Sequence, residues 1–199
     1  MKKSDLKILI DNGHGINTPG KCSPDRRLLE YKWTREIASR LVDALRKEGF
    51  DARRIVTEET DISLTERVRR VNTLCAKHGV KNSVLISIHV NAAGNGQWLN
   101  ARGWCGYVAP NASSNSKNLA RLLYDEAAKR GLKGNRAVPP EKYWVGNFTI
   151  IKRTDCPAVL TENLFQDNKE DVEYLLSEKG RQTIVDLHLA ALSRYLNSL

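Results

Sequence analysis

At 199 residues, with 41% hydrophobic and 28% charged side chains, the chain is long enough to bury one full core and has the balance of an ordinary globular protein. No apolar run approaches the ~18 residues a membrane helix needs, so membrane insertion is excluded at this stage. The 32 basic and 23 acidic residues leave a net charge of +9, which points to a polyanionic partner: nucleic acid, anionic lipid or an acidic cell-wall polymer. Specific nucleic-acid binding is disfavoured, because the basic residues are scattered along helices instead of alternating with aromatics.

The chain opens Met1-Lys2-Lys3-Ser4-Asp5 and runs directly into a short apolar stretch that ends at Asp11. That is too brief for a secretion signal, and synthesis in the cytoplasm without a signal peptide is expected. Cys22, Cys75, Cys105 and Cys156 form no Cys-x-x-Cys pair, so reduced, isolated thiols are expected, with neither a zinc knuckle nor disulfides.

Leu6 to Asp11 reads as a buried strand stopped by Asn12-Gly13, and His14 follows between Gly13 and Gly15. Glu30 to Glu48 is helical: Trp33, Ile37, Leu41 and Leu45 recur every four residues, and Gly49 ends the run. Glu30 shares that inward face. It is either a wet first-turn carboxylate favoured by the helix dipole or a buried one in need of a partner.

Asp51 to Thr57 reads as a second strand. Ser63-x-x-Glu66 is a capping box that opens a helix with Leu64, Val68, Val71 and Cys75 inward, and His78 lies in its last turn. Ser83 to Val90 is a nearly continuous apolar run suited to a parallel strand, ending at His89. A polar loop follows from Asn91 to Gly103, long enough to wall a cleft.

Trp104 to Ala109 is a further strand candidate, and Asn115 to Arg130 a helix. Leu132 to Asn147 is basic and irregular, and its Tyr143 and Trp144 suit either stacking on a ligand or local packing. Phe148 to Ile151 reads as a short strand and Cys156 to Glu162 as a buried one. Helices over Asn168–Leu176 and Glu178–Leu196 close the chain, with His188 packed on an inward face. The alternation predicts an α/β fold: one domain over residues 1–199, with a twisted, mainly parallel sheet of about six strands and helices on both faces.

His14, His89 and Glu162 each end a predicted strand. Parallel strands would bring them to one edge of the sheet, where such folds hold ligands, and Glu30 is within reach of the same place. Two imidazoles and a carboxylate make a three-ligand zinc set with a fourth position open to water, and a second carboxylate suits general base chemistry.

The motifs Asp11-x-Gly13-His14-Gly15, Glu30 leading an Ile-Ala helix, Asp61-x-x-Leu64-x-x-Arg67, Ser87-Ile-His89-x-Asn91-Ala and Pro157-Ala-Val-Leu-x-Glu162-x-x-Phe165 stand in one order. From about Lys7 to Tyr195 the chain resembles the zinc-dependent N-acetylmuramoyl-L-alanine amidases shared by bacterial cell-separation enzymes and phage lysins. The resemblance implies one Zn²⁺ ion bound by His14, Glu30 and His89, with Glu162 as the catalytic carboxylate. It also implies peptidoglycan as substrate, cut between N-acetylmuramic acid and L-alanine. Substrate contacts are expected at Asn91, Arg67 and Trp144, action at the cell wall or periplasm, and a monomer. The departures are modest: Asn12 replaces a usual proline, Leu164 a glycine, and Cys105 lies where glutamate is common.

Overall fold

The computed structural model describes residues 1–199. In chain order the elements are β1 (Lys7–Asn12), α1 (Glu30–Lys47), β2 (Asp51–Arg54), α2 (Leu64–His78), β3 (Ser83–Asn91), β4 (Cys105–Val108), α3 (Ser114–Lys129), β5 (Trp144–Val145), α4 (Thr149–Lys152), β6 (Ala158–Phe165), α5 (Lys169–Leu176) and α6 (Glu178–Leu196). The strands form one six-stranded sheet in the order β2-β1-β3-β6-β4-β5. Every neighbouring pair is parallel except β4 with β6. No helix is long and apolar enough to cross a membrane.

Alternation along the central strands builds two cores. Ile8 and Ile10 of β1, with Val84, Ile86 and Ile88 of β3, face a layer that includes α1, α3 and α6. Leu9, Leu85, Ala158 and Leu160 face α2 and α4. Both faces of these strands are therefore buried, which is why they read as continuous apolar runs and not as alternating ones.

Several local expectations change. Phe148–Ile151 is not a strand. Ile150 and Ile151 are buried in the short helix α4, which packs under α2, and this contact overrides their β-branched preference. Leu64 is 51% exposed, because α2 turns Arg67, Val71 and Cys75 inward instead. Ser63 caps α2, its Oγ accepting from Glu66 N at 3.3 Å, while the Glu66 carboxylate binds Arg69 and Arg70 instead of completing the box. All four cysteines are free, but Cys75 and Cys156 are not isolated: they meet in the smaller core, where the contact draws the Cys75 thiol down to about 7.

His188 lies in the larger core, fully buried. Its Nδ1 is 2.7 Å from the Ile184 carbonyl and its Nε2 3.1 Å from Thr161 Oγ1, so Nδ1–H donates to the carbonyl and Nε2 accepts from the hydroxyl. Burial holds its pKa down, from 6.5 to about 4. The neutral ring stabilises the fold fully above pH 6.5, and the contribution drains away as pH falls from 6.5 toward 4. Over that window the loss is about 3 kcal/mol. Urea midpoints at pH 7 and pH 4.5 should therefore drop more for the natural protein than for His188→Gln, and equal drops would contradict the assignment.

Candidate metal centre

The site is built at the carboxyl ends of β1, β3 and β6. His14 lies two residues beyond β1, whereas His89 and Glu162 sit inside their strands and do not terminate them. Both strands run on because they pair again past a register shift between His89 and Asn91, Asn91 opposite Phe165, while β4 pairs with β6 only up to Cys105 opposite Glu162. Leu164, just past Glu162, takes a φ of 65°, a left-handed conformation that glycine adopts with less strain.

Two glycines flank His14, one leaving room for the His89 ring and the other for the Asp61 backbone. A Cβ on Gly13 would lie 2.2 Å from the His89 ring, and one on Gly15 would lie 2.0 Å from Asp61 N. Between them His14 is itself left-handed, with φ 61°. This conformation is held from outside by Arg67, which is 2% exposed. Arg67 Nη1 donates to Asp11 Oδ1 (2.6 Å) and to the Asn12 carbonyl (2.7 Å); Nη2 donates to the His14 carbonyl (3.2 Å) and to Asp61 Oδ1 (2.8 Å). Ser87 Oγ donates to the second Asp11 oxygen at 2.6 Å. The guanidinium of Arg67, where a substrate contact is expected, is engaged by these internal acceptors and holds the His14 loop. Removing one partner of so buried a pair ordinarily costs about 3–5 kcal/mol.

Glu30 opens α1 and is 1% exposed, so the wet first-turn reading does not hold. Its Oε1 lies 3.2 Å from His89 Nδ1 and 3.5 Å from His14 Nε2, and accepts from Val90 N at 3.0 Å. The two rings stand edge to face with centroids 4.9 Å apart. One ligand atom from each of His14, Glu30 and His89 can be chosen so that all lie within 4.8 Å of one another. Glu30 Oε2 and Glu162 Oε2 are buried with no hydrogen-bond partner. Two orphaned carboxylate oxygens beside two imidazoles are unfavourable by themselves and fit a cation. This is a nitrogen–oxygen donor set with a second buried carboxylate next to it, a composition that catalytic zinc sites share.

The electrostatics separate the two carboxylates. Burial would raise Glu30, but the His89 hydrogen bond and the attraction of both imidazoles outweigh it and hold Glu30 below its ordinary value. Burial raises Glu162 to about 7, with Glu30 pushing the same way and His89, Lys21 and Arg136 opposing. Burial lowers His14 to about 4, which leaves a neutral imidazole suited to ligation.

A cavity of about 200 Å³ opens beside His14 and His89, bounded by Asp61, Ser63 and Leu64. A broader groove of about 710 Å³ runs between the Pro19–Arg26 segment and the Ala92–Gly96 loop, which Asp167 pins by accepting from Ala93 N and Gly94 N.

The family model described as N-acetylmuramoyl-L-alanine amidase matches residues 8–194. The chain belongs to this family. It is 29% identical to the N-acetylmuramoyl-L-alanine amidase CwlM of Bacillus licheniformis, over 96% of this chain and 69% of that protein. It is 26% identical to the endolysin of Bacillus phage SPP1, over 96% of this chain and 66% of the endolysin. The chain thus spans about two thirds of each relative's length. The crystal structure of an N-acetylmuramoyl-L-alanine amidase from Clostridium difficile 630 superposes with a TM-score of 0.81 at 25% identity, covering 99% of both chains. The α/β class with a mainly parallel sheet is the fold that the sequence predicts.

Of the remaining expected contacts, Asn91 ends β3 half-buried, with its Oδ1 accepting from Ala92 N. Trp144 packs 6.1 Å from Tyr107 and 6.4 Å from Tyr124, and Tyr143 is buried, so this aromatic pair serves packing more than display. Arg136 lies over the Trp144 ring, 5.6 Å from its centroid, and as one of many cations in a basic, irregular segment it is not distinguished by its local sequence.

Proposed function

We propose that residues 1–199 form the catalytic domain of a peptidoglycan amidase. It would hydrolyse the amide between the lactyl group of N-acetylmuramic acid and L-alanine, with His14, Glu30 and His89 holding one zinc ion and Glu162 as general base and acid. The observation that carries this reading is the His14–Glu30–His89 cluster with the orphaned Glu162 Oε2 beside it.

When bound, the zinc supplies Lewis-acid polarisation of the carbonyl and acidifies water toward neutrality. Glu162, raised to about 7, takes the proton of the attacking water and returns it to the departing alanine nitrogen, which cannot leave unprotonated. Glu30, kept ionised, balances the charge of the cation and fixes the His89 ring. Asp11, Arg67 and Asp61 hold the His14 loop so that its ring is already oriented. The open groove suits a polymer, and the net charge of +9 draws the protein to a carboxylate-rich wall, its site of action.

Product analysis of digested, purified peptidoglycan tests this. The expected result is new N-terminal L-alanine together with glycan bearing a free lactyl carboxyl, abolished by a chelator and restored by zinc. Release of acetate, or of other amino-acid termini, would indicate a deacetylase or a peptidase. Binding without cleavage in the presence of zinc would indicate a wall-binding module.

A further inference from the structure

Arg136 comes from the irregular segment between α3 and β5, is half-buried, and has no carboxylate partner. Its Nη1 donates to Cys105 Sγ at 3.1 Å. Its guanidinium lies over the rings of Trp144 and Phe165, 5.6 and 5.5 Å from their centroids. Cys105 stands opposite Glu162 in the antiparallel β4–β6 pair, so the two side chains leave the sheet on the same side. Through its contact with Cys105, Arg136 therefore stands next to the proposed general base.

Arg67 and Arg70, near the site, are paired with carboxylates, Arg67 with Asp11 and Asp61 and Arg70 with Glu58 and Glu66, while half-buried Arg35 spends its donors on the Glu58 and Tyr31 carbonyls. Arg136 instead is held by two aromatic faces, the Cys105 thiol and the Tyr107 hydroxyl, none of them an anion and none matching the two-pronged geometry of its fork. A partly desolvated cation without an anion is unfavourable unless a ligand supplies one. The planar fork is matched to a carboxylate, which it engages with two parallel hydrogen bonds.

The chemistry of the proposed substrate says where that anion is. On the glycan side, the lactyl carboxyl is consumed in the scissile amide. The nearest ionised group is therefore on the peptide side, where the residue after alanine can carry a free α-carboxylate. We propose that Arg136 is a specificity-determining residue that receives this carboxylate, so that the protein selects stems with an ionised second residue over stems in which that carboxylate is amidated. Lys21, whose field also reaches Glu162, adds to the preference for an anion. The inference rests on the amidase reading given above.

The test uses two synthetic muramoyl peptides that differ only in whether the second residue's α-carboxylate is free or amidated. For the zinc-loaded natural protein, kcat/KM should favour the free acid by about ten- to a hundredfold, the range of a charge-assisted hydrogen-bonded pair. Arg136→Gln should collapse that ratio toward one through a rise in KM for the free acid, and Arg136→Lys should restore part of it. Equal cleavage of both peptides by the natural protein, which needs no variant to fold, overturns the inference. So does an equal fall on both peptides through kcat in Arg136→Gln, because that marks an effect on Glu162 instead. Cleavage of neither peptide overturns the amidase reading itself, and this inference with it.

Discussion

Glu162→Gln should retain zinc and lose about 10²- to 10⁴-fold in kcat, the usual contribution of a positioned general acid–base group. Glutamine keeps the volume and one acceptor oxygen but cannot take up and return a proton. Glu162 is not one of the three clustered ligands, so metal content by elemental analysis should stay near one ion per chain. Burial already disfavours the Glu162 carboxylate, which holds its pKa at about 7, so removing the charge should not lower the urea midpoint. Loss of rate with unchanged metal and unchanged stability is the signature of a proton carrier. Full activity in this variant would remove Glu162 from the chemistry.

The histidines should behave oppositely. His89→Ala or His14→Ala is expected to weaken zinc binding by more than the ~100-fold that outer-shell changes cost, because a ligand itself is lost. His89→Ala should also destabilise the protein. Glu30, 1% exposed, loses the ring 3.2 Å from its Oε1 and keeps only the Val90 N–H and the more distant His14 ring. His14 is farther away, at 3.5 Å, and 19% exposed, so its alanine variant should cost less stability for a similar loss of metal. Zinc affinity by competition with a chromogenic chelator, read beside the urea midpoint, separates the two. Retention of wild-type affinity in both variants would place the metal elsewhere.

Much of this arrangement is written locally. The apolar run ending in Asn12-Gly13 determines β1 and the sharp exit that presents His14. The four-residue period from Trp33 to Leu45 determines α1 and places Glu30 on its inward face. These features depend on neighbours a few residues apart, and backbone sterics and solvation act over that range.

What local pattern could not settle was which charges meet which. Whether Glu30 is wet or buried depends on His89, 59 residues away, and whether Arg67 faces substrate depends on Asp11, 56 residues away. Phe148–Ile151 became helical because α2 lies over it, not because of its own preferences. The lone Arg136 is visible only once β4 and β6 pair and leave its guanidinium on Cys105 without an anion. A residue's type and spacing determine the element it joins, whereas the field at its charged end is set by groups the chain brings in from elsewhere, and only the packed sheet brings them together.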